Sequence, residues 1–127
     1  MKRLSAVLFA TGGIAAASTV ALAHHSFAMF DQDHKVERTG VVKEYRFVAP
    51  HVFIMLEIRE DNGGSNLWAL EGEAPTKLVR DGWTAKSLNP GDEIKLIVAP
   101  LRSGAAGGAW VTKDITFRDG KPIAVSP

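Results

Sequence analysis

Hydrophobic side chains fall at every second position near residue 95, where Ile94, Leu96 and Val98 are interleaved with Glu93 and Lys95. That period of two predicts a strand over residues 93–98. Residues 35–47 repeat the theme more loosely. Val36, Thr39, Val41 and Val42 stand among charges and predict a long first strand. Gly40 in its middle predicts a bulge or sharp bend that lets the strand serve two parts of a sheet. Ala49-Pro50 breaks the pattern, because proline has no amide hydrogen to give to a ladder. Residues 51–59 predict the second strand, and the unbroken apolar run from Val52 to Leu56 predicts cover on both of its faces. Asp61-Asn62-Gly63-Gly64 supplies the left-handed conformers of a hairpin turn, and residues 66–71, carrying Trp68, predict the third strand.

Beyond that hairpin the pattern changes. Residues 75–80 predict a short helix, with Pro75 suited to its first turn and Gly82 placed to stop it. Asn89-Pro90-Gly91-Asp92 is a turn into the fourth strand, and a glycine-rich loop, residues 103–108, leads to a fifth over residues 110–117. Asp119-Gly120 turns into a short last strand over residues 122–125. A helix between the third and fourth of five or six strands, with a bent first strand, predicts an all-β fold: a small OB-like Greek-key barrel. A plain antiparallel sandwich is the alternative. In an OB-type barrel the ligand face lies on strands 2 and 3 and on the loops joining strands 1–2 and 4–5. Those loops are residues 48–51 and 100–109.

The amino terminus does not belong to this pattern. Lys2 and Arg3 precede an uncharged stretch, residues 4–20, and Ala21-Leu22-Ala23 has the small-x-small form of a signal peptidase site. Thr11, Gly12, Gly13, Ser18 and Thr19 dilute the apolar run below what a membrane span of about 20 residues needs. The expectation is a cleaved signal peptide (1–23), an amino-terminal arm (24–34) and one barrel domain (35–127), periplasmic or secreted, with no stable membrane anchor after cleavage. No cysteine is present, so neither lipid attachment nor a disulfide is available. Cleavage removes two cations and leaves 13 Lys and Arg against 14 Asp and Glu, a formal charge of −1. That balance gives no reason to expect nucleic-acid binding.

With no cysteine and no paired carboxylate, imidazole is the obvious functional chemistry. Cleavage after Ala23 makes His24 the amino terminus, where its α-amine and its ring Nδ1 close a six-membered chelate on one metal ion. His25 adds a second imidazole, and the amide between the two histidines a further nitrogen. His51 starts the second strand in an expected ligand-face loop. If Phe27 and Phe30 fold the arm back over the barrel, His24 and His51 meet, an amine plus two imidazoles as in histidine-brace copper sites. An all-nitrogen set favours Cu(II). The expected metal residues are therefore His24, His25 and His51. The competing readings are a solvated terminus and a satisfied His51 beside a proline turn. His34, between Asp33 and Lys35, reads as a surface residue. Trp68, Trp83 and Trp110 read as packing residues, and Arg80 and Arg102 as solvated charges. Glu71, three residues after Trp68, lies on the opposite face of its strand and points to solvent or to a site. No phosphate loop, dinucleotide fingerprint, zinc-protease helix or hydrolase elbow occurs, so no catalytic residue is assigned.

The string His24-His25-Ser26-Phe27-Ala28-Met29-Phe30-Asp31 after a signal peptide resembles a bacterial exported family, domain of unknown function 6152. Gly40-Val41-Val42, Pro50-His51, Trp68-Ala69-Leu70-Glu71, residues 78–83 and residues 88–92 match it in order. Ala49 stands where the turn of such proteins usually reads Asn-Pro-His. The resemblance implies export and a single β-rich domain, and carries no activity. Three functions stay open: a non-enzymatic copper-binding barrel, an accessory module docking on another exported protein, and an oxidative copper enzyme.

Overall fold

The computed structural model describes residues 27–123. Five strands, β1 (Val36–Arg46), β2 (Phe53–Arg59), β3 (Ser65–Glu71), β4 (Glu93–Pro100) and β5 (Gly107–Phe117), close into a barrel in the order β1-β2-β3-β5-β4. A short helix, α1 (Pro75–Arg80), lies between β3 and β4. All pairings are antiparallel except the one that closes β3 onto β5. This is the OB-type barrel expected from the element order.

Alternation decides which side chains fill it. Ile54, Leu56 and Ile58 of β2, Trp68 and Leu70 of β3, and Ile94, Leu96 and Val98 of β4 point inward and are buried. Phe53 and Met55 lie between these inward positions and are only half-buried. The apolar run from Val52 to Leu56 is therefore not covered on both faces, and β2 has one core face and one outer face. Leu78, projecting from α1, joins Trp83 and Leu88 in the same core. Pro75 occupies the first turn of α1, and Gly82, at φ 84°, redirects the chain after it. Asp81 is held there by Lys77 and by Thr112, whose hydroxyl donates at 3.1 Å.

The first strand does serve two partners. Its first half pairs with β4 and its second with β2, and Gly40 and Val41 pair with both. The bulge, however, lies between Val42 and Glu44 rather than at Gly40. Gly40 is needed for a different reason, since a Cβ there would collide with the Glu57 carbonyl and stand 2.9 Å from the Leu56 side chain. Strand β5 begins at Gly107, inside the expected glycine-rich loop. The expected last strand, 122–125, is reduced among the described residues to one bridge, Thr116 with Pro122. Residues 124–127 lie outside the described residues, as do the expected signal peptide, His24 and His25.

Candidate functional site

His51 and Glu71 are brought together by strand register. Phe53 pairs with Glu71 at the end of the β2–β3 ladder. The ladder then continues past the strands, with the Gly72 amide donating to the Val52 carbonyl at 2.7 Å and the Val52 amide to the Glu73 carbonyl at 3.0 Å. Val52 itself is fully buried, which fixes the backbone on which His51 sits. The His51 Nδ1 lies 2.5 Å from the Glu71 Oε1, with the two side chains 33% and 22% exposed. The contact uses one ring nitrogen, and Nε2 has no hydrogen-bond partner among the described residues. A carboxylate on one imidazole nitrogen fixes the ring's orientation and leaves the other as a lone-pair donor, the arrangement found behind metal-bound histidines.

The arm reaches the same end of the barrel. Phe30 is buried and bridges to Leu101, the Asp31 amide donates to the Pro100 carbonyl at 2.8 Å, and the Arg102 amide donates to the Met29 carbonyl at 2.9 Å. Phe30 therefore pins the arm, whereas Phe27 is 60% exposed. Asp31 organises the turn that follows. His34 Nδ1 stands 3.0 Å from its carboxylate, and that hydrogen bond, aided by the Asp33 amide and the Arg102 charge, holds the Asp31 carboxyl below the usual range. His34 is a surface residue, as its neighbours suggest. Arg102 is not simply solvated, since its guanidinium stands 3.6 Å from Asp31.

Between arm and barrel lies a cleft of about 180 Å³, lined by Phe27 and Phe30 on one side and by Glu71, Gly72 and Trp110 on the other. Glu71 thus borders both the cleft and His51. The three tryptophans are packing residues: Trp83 and Trp110 pack with ring centroids 5.2 Å apart and planes tilted by 47°, and both are buried. Of the three expected metal residues, the structure places His51. Among the described residues no three His, Asp or Glu side chains gather as metal ligands. Glu71 is the residue that sequence reasoning left without a partner. The parity argument gave its face, but His51 becomes its neighbour only through the register of β2 against β3.

A search of curated proteins finds no match to the chain. Among solved structures, the chain is similar to the mitochondrial single-stranded DNA binding protein Rim1 of S. cerevisiae, at 12% identity and a TM-score of 0.46, covering 67% of this chain and 93% of that one. It is also similar to a small single-stranded DNA-binding protein from Streptomyces coelicolor, at 13% identity and a TM-score of 0.41, covering 66% of this chain and 91% of that one. The sequence model of the Family of unknown function (DUF6152) matches residues 11–111, and the chain belongs to that family.

Proposed function

We propose that the chain is exported, is cut after Ala23, and binds a transition metal, copper, through the new amino terminus of His24 together with His25 and His51. The His51–Glu71 contact carries this reading, because it presents an oriented imidazole with one nitrogen uncommitted. The arm supports it. Phe27 borders the cleft that Glu71 also borders, and only His25 and Ser26 separate it from His24, three steps of chain or at most about 11 Å when extended. The metal is held without a reaction being assigned to it.

Two measurements test the two halves of the reading. Intact mass of protein recovered from a periplasm is expected to correspond to residues 24–127. A mass retaining residues 1–23, found in membranes, would overturn both export and the metal site. Titration of the processed, metal-free protein with Cu(II) against a competing chelator is expected to give one tight site. In the same titration His51→Ala is expected to weaken it about tenfold, or about 1.4 kcal/mol. Equal affinity would restrict any copper to the arm and favour the barrel as a docking module for another exported protein.

A further inference from the structure

Three successive residues fasten the arm to the barrel. The Met29 carbonyl accepts from the Arg102 amide at 2.9 Å, Phe30 bridges to Leu101, and the Asp31 amide donates to the Pro100 carbonyl at 2.8 Å. The ion pair of Asp31 with Arg102, at 3.6 Å, spans the same junction. Phe30 is 4% exposed, yet it lies outside the contiguous core that Val42, Leu70 and Trp110 share. A side chain buried in this way holds the arm without being needed to hold the barrel.

The junction is connected to His51 through the ladder. Leu101 directly follows β4. Ala99 of β4 pairs with Ala109 of β5, and Ala109 pairs with Glu71 of β3, the partner of His51. Two ladder spacings, about 10 Å, therefore separate Ala99 from Glu71. Six steps of chain separate Phe30 from His24, a reach of about 20 Å when extended. Without the fastening the nearest fixed residue is Val36, the first of β1, and the free chain doubles to twelve steps. The entropic cost of closing a flexible loop grows as three halves of the logarithm of its length, so halving the free chain favours a shared ion about threefold. That gain is an effective concentration and needs no new contact.

We propose that Phe30 is a positioning residue for the metal: with the arm docked, the His24 chelate is held where it shares one ion with His51, and with the arm released it binds copper largely by itself. This inference rests on the copper reading above and adds to it the element that sets whether His51 takes part. Coupling of this kind is reciprocal, so copper held from both ends tightens the arm in turn.

The test is a double-mutant cycle in Cu(II) affinity, run on the processed protein with a competing chelator. His51→Ala is expected to weaken binding about tenfold in the wild-type background and only about threefold in Phe30→Ala. Phe30→Leu, which keeps an apolar anchor, is expected to restore the tenfold loss. Asp31→Pro releases the arm in a second way and leaves every buried side chain in place, because proline has no amide for the Pro100 carbonyl and no carboxylate for Arg102. The same reduced loss at His51 is expected there. Hydrogen exchange gives a readout apart from affinity. The Arg102 amide is expected to gain protection when Cu(II) binds wild type and to gain none in His51→Ala. An equal loss at His51 with the arm fastened and released, or an Arg102 amide that Cu(II) leaves unchanged in wild type, overturns the positioning role while the copper site stands. No loss at His51 in the wild-type background overturns the copper reading through His51, and this inference with it.

Discussion

Leu70→Ala is expected to destabilise the barrel by about 2–5 kcal/mol, the range for deleting most of a buried leucine. Leu70 has no exposed surface. It sits between hydrogen-bonded partners on both sides, Ile54 of β2 and Gly108 of β5, so the backbone around the deletion has little freedom to collapse. For a domain of this size each kcal/mol shifts the melting temperature by about 4–8 °C, so a fall of about 10 °C or more is expected. Leu67→Ala on the same strand is the control. Leu67 faces outward and is 52% exposed, and surface changes of this kind usually stay within about 0.5 kcal/mol. Circular dichroism melts of the two variants decide it. Equal losses would mean that the assignment of inner and outer faces on β3 is wrong.

Acetylating the α-amine of His24 is expected to weaken Cu(II) binding about a hundredfold, or about 2.8 kcal/mol. The modification keeps every side chain but removes the terminal nitrogen on which the chelate depends. It is best made by semisynthesis, so that no lysine is touched. The same nitrogen sets a pH dependence. With an ordinary pKa near 8 the amine must lose its proton to bind metal, so affinity is expected to fall as pH drops from about 8 to 5, through the amine first and the imidazoles after it. The acetylated protein is expected to lose the upper part of that dependence and keep the lower. Melting of the metal-free protein should not change. Equal copper affinity for the free and acetylated forms, measured at one pH with a competing chelator, would remove the terminal site.

The strands were legible where one face is covered and the other is not. Ile94, Leu96 and Val98 announce β4 because alternate positions on a strand face opposite sides. The closure of the barrel was hidden for a complementary reason. Gly107 and Gly108 read as loop in sequence, yet they are the residues that let β5 lie against both neighbours. A Cβ on Gly107 would stand 2.9 Å from the Ala69 carbonyl oxygen, and one on Gly108 would stand 2.5 Å from that of Ala99. Local sequence reports what a residue prefers, and a glycine chosen for close approach looks the same as one chosen for a turn. At Gly40 the expected change of partner does occur, while the bulge lies between Val42 and Glu44.

The candidate site divides along similar lines. His51 was visible as a residue, since imidazole beside a strand start is chemically conspicuous. Its carboxylate partner was not, because the pairing depends on which residue of β3 stands opposite Phe53. The cleft was invisible, as its walls come from the arm, β4, β5 and the β3–α1 junction, segments far apart in the chain. Packing residues were read more easily. Trp83 and Trp110 are assigned to the core from their size alone, and they pack against each other there with tilted rings.

The order of strands around the barrel also bears on how quickly the chain reaches it. Strand β1 must find β4 across the whole intervening hairpin and helix, and β3 must find β5 across α1 and β4. Each such meeting closes a long loop before any contact rewards it, and folds dominated by distant pairings take about milliseconds to seconds rather than microseconds. During that interval β1, β3, β4 and β5 each keep one edge with unpaired backbone groups, whereas β2 already lies between its two chain neighbours. The finished ring removes those edges, so protection from pairing with other chains arrives only with the last strand.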